Sequence, residues 1–190
     1  MRTLVILLAG TALTISACKR GDNAETANDM VAIDNGMIAN DGMAAPAALP
    51  TTAPDFVNAA AASDKFEIDS SKLAETSGAS ASVKAFAKQM ISGHTASTAK
   101  LKSAIAGMTP ALTPNDMPNA DQQALMATLQ GKTGAEFDSA YKAAQVTAHQ
   151  ATLDALNSYA NGGDNAQLQA LAKGMIPVVT AHLNLAKGLK

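Results

Sequence analysis

From Asp55 to the C-terminus, apolar residues recur at alternating steps of three and four, a spacing that draws a stripe along a helix and does not suit a strand. The last segment shows the pattern most fully, with Leu168, Leu171, Met175, Val178, Leu185 and Leu189. Two earlier segments carry Val83, Phe86, Met90, Leu101 and Ile105, then Phe137, Tyr141, Leu153 and Leu156. Residues that start and stop helices punctuate these runs. Helix 1 is expected over 55–77, stopped by Gly78, and helix 2 from Ser80 or Ser82 to Gly107. Pro110, Pro114 and Pro118 then mark a connection, followed by a short helix over 119–130 that stops at Gly131. Helix 3 opens at Thr133 with Glu136 three residues on, a capping-box spacing, and ends at Asn161-Gly162-Gly163. Helix 4 begins at Asp164 or Asn165 and frays near Gly188, with a kink expected at Pro177. The fold class expected is all-α: an antiparallel four-helix bundle with one short extra helix between helices 2 and 3.

Composition says what such a bundle is built from. Hydrophobic residues make up 47% of the 190, but aromatics only 3%, and there is no Trp. The core therefore rests on Ala, Leu, Val, Ile and Met, and alanine favours helix because it loses no side-chain entropy. A single cysteine, Cys18, allows no internal disulfide. The net charge of −2, with scattered lysines and few aromatics, offers no basic stacking surface for nucleic acid.

The first residues read as an address. Arg2 precedes an apolar run from Leu4 to Ile15, shorter than the ~20 residues a membrane span needs. The run closes on Ile15-Ser16-Ala17-Cys18, which resembles a bacterial lipobox. Residues 1–17 are thus expected to be a lipoprotein signal peptide, with acylation at Cys18. The reading set against it is an ordinary signal peptide cleaved near Ala17, or a free thiol. Residues 18–53, rich in Asn-Gly, Asp-Gly and proline punctuation, read as a flexible tether, and 54–190 as the bundle domain. The expected location is the periplasmic side of the cell envelope, held to a membrane through Cys18. Lys19 after the cysteine points to the outer membrane, by resemblance to known sorting.

The three histidines fall one to a helix. His94, His149 and His182 each lie near the middle of a long segment, in step with its apolar stripe. On helix 1 the matching position is Glu67, seven after Ala60 and seven before Ala74. In an up-down bundle these four meet at one level. Imidazole and carboxylate are ligands for Zn, Fe or Cu, and an unpartnered buried carboxylate is costly. Three readings stand: Glu67, His94, His149 and His182 form one mononuclear metal site, they form a hydrogen-bonded polar layer that sets helix register, or they do not meet. Tyr141 and Gln145 are candidate supporting donors behind the site.

These residues also carry a family resemblance. Phe56-Val57, Ala60-Ala61, Glu67, Leu73-Ala74, Val83-Lys84-Ala85-Phe86-Ala87, Met90 and His94 form its first half. Phe137-Asp138, Ala140-Tyr141, Ala144-Gln145-Val146, His149, Leu168, Ala172-Lys173, Pro177 and His182 form its second. Together they resemble the bacterial envelope family called domain of unknown function 4142. The resemblance implies a ferritin-like four-helix bundle, usually exported, and implies no particular activity. Where members often carry an acidic residue before the helix 2 and helix 3 histidines, this chain has Gly93 and Ala148. The two-iron pattern of ferritin-like proteins places a Glu three residues before a His. Here those positions hold Ile91, Val146 and Val179, so that pattern is absent.

Other chemistries find little support. Gly131-Lys132-Thr133 resembles the end of a phosphate-binding loop, but the position of that motif's first glycine is Met126 and a helix precedes it. Asp64 and Glu67, one turn apart, are expected to be one buried and one solvated carboxylate, and Met30, Met37 and Met43 are loosely spaced in the tether. Three functional readings remain: a non-enzymatic envelope protein that binds one metal ion or small ligand in its core, in a stress-tolerance role; a structural or interaction module without metal; and a mononuclear metal-dependent redox enzyme.

Overall fold

A computed structural model of the chain describes residues 48–190. Cys18, the signal-peptide segment and most of the tether lie outside the described residues. Within them the protein is all-helical, with five helices: α1 (Ala53–Ser77), α2 (Ala81–Ile105), α3 (Ala120–Leu129), α4 (Gly134–Gly162) and α5 (Ala166–Gly188). No described helix is long and apolar enough to cross a membrane.

Short connections and local caps set the path. Three residues join α1 to α2 and three join α4 to α5, so each pair folds back on itself. α1 packs on α2 and α4, α5 packs on α4 and α2, and α3 lies against α1 and α4. The first turn is tied across the fold: Ala79 and Ser80 donate their amides to the Asp138 carboxylate of α4, at 3.0 and 2.8 Å. Gly78 must be glycine here, because a Cβ would stand 2.7 Å from the Ala74 carbonyl oxygen and 3.1 Å from Asp138 Oδ1. At the second turn the Tyr159 ring stacks on Phe56, centroids 4.2 Å apart, and its hydroxyl donates to Asp164 at 2.9 Å.

Two details differ from the sequence expectation. Thr133 makes no side-chain cap bond, and Glu136 pairs instead with Lys132. α4 begins on Gly134 with φ +66°, in the left-handed region. The capping box forms one helix earlier, where Asn119 and Gln122 exchange amide-to-side-chain bonds of 2.9 Å each way. In α5 the buried face runs through Leu168, Ala172, Val179, His182, Leu183 and Ala186, whereas Val178 and Leu185 are half exposed. Ala172 and Ala186 are fully buried on that face among larger residues, and alanine's small apolar surface adds little to the stripe that hydrophobicity alone draws. Pro177 lies inside a helix that continues on both sides of it.

The core has two apolar clusters. One gathers Phe56, Leu101, Leu156, Tyr159, Leu168 and Val179, and the other Phe66, Val83, Phe86, Met90, Phe137 and Tyr141. On α2 and α4, His94 and His149 fall between the stretch that joins one cluster and the stretch that joins the other. A polar layer therefore interrupts an otherwise apolar interior.

Candidate metal centre

Asp64, Glu67, His94, Gln145, His149 and His182 are all buried, and they come from α1, α2, α4 and α5. The three imidazoles form a nearly equilateral triangle. Ring centroids are 5.8 Å apart for His94 and His149, 5.6 Å for His94 and His182, and 5.7 Å for His149 and His182.

Hydrogen bonding decides which nitrogens are free. His94 Nδ1 lies 2.8 Å from Asp64 Oδ1, and a carboxylate only accepts, so this nitrogen carries the proton. Thr98 donates to the other Asp64 oxygen at 3.0 Å, which holds the carboxylate in place. His149 Nδ1 lies 2.8 Å from the Gln145 carbonyl oxygen and donates to it for the same reason. In the neutral form of each ring Nε2 is then the lone-pair donor, and neither Nε2 has a hydrogen-bond partner. His182 Nδ1 is likewise buried without a partner. An imidazole whose far nitrogen is tied to an oxygen acceptor is the arrangement found behind metal-ligating histidines.

One ligand atom from each of His94, His149 and His182 lies within 4.8 Å of the other two. Metal-bound imidazole nitrogens sit ~2.0–2.1 Å from the ion. The triad therefore fits an ion after a modest inward shift. Unpartnered buried nitrogens are expensive, and coordination removes that cost.

The other expected residues take different positions. Glu67 is buried beside the triad, with Oε1 3.3 Å from His149 Nδ1, on the ring edge away from the free nitrogen. Neither of its oxygens has a hydrogen-bond partner. Gln145 serves His149 through its backbone carbonyl, while its side-chain amide donates to Ser70 Oγ at 3.1 Å. The Tyr141 hydroxyl pairs with Ser71 Oγ at 2.7 Å and reaches no histidine. Asp64 corrects the expectation of one buried and one solvated carboxylate, since both it and Glu67 are buried. Its inward position is readable in retrospect, because Val57, Ala60, Asp64, Glu67 and Ser71 continue one stripe at steps of three and four.

Burial and charge set the protonation of this layer. Burial pushes the Glu67 carboxyl up to about 7, against the pull of His94 and Gln145. Burial also pushes His149 and His182 down to about 4 each, helped by the charge on His94. His94 moves the other way: burial lowers it, but the Asp64 hydrogen bond and the charges of Glu67 and Asp64 outweigh burial. Two of the three imidazoles are thus held neutral, the form that binds metal.

Fold and site together define a class: an all-helical protein with three buried imidazoles close enough to share one metal ion. The chain belongs to the family described as Domain of unknown function (DUF4142), which matches residues 39–189. Among solved structures it is similar to "CopM in the Cu(II)-bound form", at 14% identity and TM-score 0.60, covering 72% of this chain and 94% of that one. It is also similar to "CopM in the Ag-bound form (by co-crystallization)", at 16% identity and TM-score 0.56, covering 73% and 95%. At these identities the likeness is one of fold. No curated protein matches the chain.

Proposed function

We propose that this is a non-enzymatic metal-binding protein of the bacterial envelope, which holds one transition-metal ion on His94, His149 and His182. Copper is the first ion to test, because three imidazoles suit copper, zinc or iron and the similar solved structures carry Cu(II) and Ag. The observation that carries the reading is the set of buried, unpartnered ring nitrogens on three different helices. Asp64 and the Gln145 carbonyl orient two of the rings, and Glu67 supplies a buried carboxyl that offsets the cation's charge. The four long helices are read as an antiparallel ferritin-like bundle that supports this layer. Acylation at Cys18 tethers the protein to a membrane, on its periplasmic side, with the outer membrane favoured by Lys19.

Metal analysis of the full chain purified from its native envelope tests the reading. One ion per chain is expected, falling to near zero in His149→Ala while helix content is retained. A parent protein free of metal after exposure to copper, zinc and iron would sink the proposal and leave the layer as a register-setting network. For the anchor, Cys18→Ser should release the protein from the membrane fraction.

A further inference from the structure

Charge is segregated between the helices. α2 and α5 pack on each other, while α3 lies against α1 and α4. α2 carries Lys84, Lys88, Lys100 and Lys102, α5 carries Lys173 and Lys187, and neither helix holds an Asp or a Glu. Lys84 is half buried and the other five are exposed. Among the described residues none of these lysines forms an ion pair, whereas Lys65 and Lys72 on α1 pair with Asp69, and Lys132 pairs with Glu136. The acidic side chains that lie on helices belong to α1, α3 and α4. The chain as a whole has a net charge of −2, so a side that carries only cations is an arrangement of the fold and not a general basicity.

The same side carries apolar surface. Val178 and Leu185, two turns apart on α5 and so on one face, are 48% and 46% exposed. The seam beside them is open in two places. Ser82, Ala85 and Phe86 of α2 and Leu185 and Leu189 near the end of the chain line a groove. Gly93 and Ser97 of α2 share the wall of a cavity with Met175 and Val178 of α5. Free lysines around exposed apolar side chains suit a lipid interface: ammonium groups meet anionic head groups, and apolar tips enter the acyl boundary. From Lys84 to Lys102 the cations spread over ~27 Å of α2 at 1.5 Å per residue, and they continue on α5. That breadth suits a continuous anionic plane better than one bound chain. We infer that the α2–α5 side docks on a membrane surface rich in anionic phospholipid, with Val178 and Leu185 entering it. The carboxylates of α1 and α4 are repelled by such a surface, which sets the orientation. The inference goes beyond the metal reading and requires neither the ion nor acylation at Cys18.

The chain has no Trp, so a single introduced tryptophan reports on its own position. Leu185→Trp places it on the docking side, and Gln150→Trp, exposed on α4, is the control. The full chain is mixed with vesicles of phosphatidylglycerol whose acyl chains are brominated, so that they quench tryptophan on contact. Quenching at least twofold stronger for Leu185→Trp than for Gln150→Trp is expected. The contrast should disappear in brominated phosphatidylcholine and in about 1 M salt, where the Debye length is ~3 Å. Adding Lys88→Glu, Lys100→Glu and Lys173→Glu to Leu185→Trp should abolish it with helix content unchanged. Ala96→Trp, exposed on α2, should behave as Leu185→Trp does, and serves if the first substitution disturbs folding. Equal quenching at α4 and at the docking side, or a contrast that persists in phosphatidylcholine or survives charge reversal, would overturn the inference. So would an emission shift of Leu185→Trp with soluble polyglutamate and none with vesicles, which would assign this side to an acidic protein. Copper uptake measured on the same samples separates the two claims. Chains that dock without metal lose only the metal reading, and chains that take up metal without docking lose only this one.

Discussion

His94 Nδ1 on α2 and Asp64 Oδ1 on α1 stand 2.8 Å apart, both buried, in a hydrogen bond that joins the two helices and fixes the imidazole's tautomer. The bond does two things at once. It satisfies a carboxylate that would otherwise be costly inside the protein, and it aims the free Nε2 at two other imidazoles.

Asp64→Asn tests that pairing. The amide keeps the size of the side chain but removes the charge that makes the imidazole a better donor. Metal affinity should fall by about 10- to 100-fold, as when partners behind metal-ligating histidines are changed. Competition titration against a chelator reads it. An unchanged affinity would show that His94 does not act through Asp64.

Gly93→Ala separates stability from binding. In a helix interior alanine is favoured over glycine by ~1 kcal/mol. Here the new Cβ presses on His182 at 3.1 Å, so the ring must shift. The variant should melt at or above the parent's temperature while taking up metal several-fold more weakly. Parent-like affinity would mean that His182 has room to spare.

Tyr141→Phe should do the reverse. Its hydroxyl bonds Ser71 and not the triad, so the loss leaves one buried hydroxyl without a partner. Stability should drop by about 1 kcal/mol. Metal stoichiometry and affinity should stay the same. A loss of metal would place Tyr141 in the site.

The metal-free protein should show a stability maximum near pH 6.5. His149 and His182 fall from 6.5 to about 4 on folding, so between those values the unfolded chain binds two protons that the folded one does not. Glu67 rises from 4.5 to about 7 and holds one proton the unfolded chain has lost. The unfolded state keeps the excess up to about pH 6.5, and stability rises with pH. Above it, raised His94 and Glu67 hold protons that the unfolded chain has released, and stability declines. Thermal unfolding across pH 4.5–8.5 checks this, and a midpoint that climbs steadily through pH 8 contradicts it.

Helix positions were legible in the chain because caps, glycines and the 3.6-residue period act locally. α3, expected over 119–130, spans Ala120–Leu129, and α5 starts at Ala166 after the expected Asp164-Asn165 signal. The Asx cap at Asn119 was less visible than the Thr133 pattern, yet it is the one that forms. α4 begins instead on Gly134 with a positive φ, a backbone angle that no residue pattern displays. The face of α5 was misplaced at Val178 and Leu185 for a similar reason: alanine seams carry little hydrophobic signal.

Period and position on each helix were enough to put three imidazoles and Glu67 inward at one depth, since a residue's face follows from counting along its own helix. Counting could not say which atoms touch. That Asp64 rather than Glu67 holds His94, that Glu67 sits at the back of His149, and that Tyr141 turns to Ser71 depend on helix rotation and spacing. Those are set by how side chains from distant segments interlock, and only the packed structure contains them.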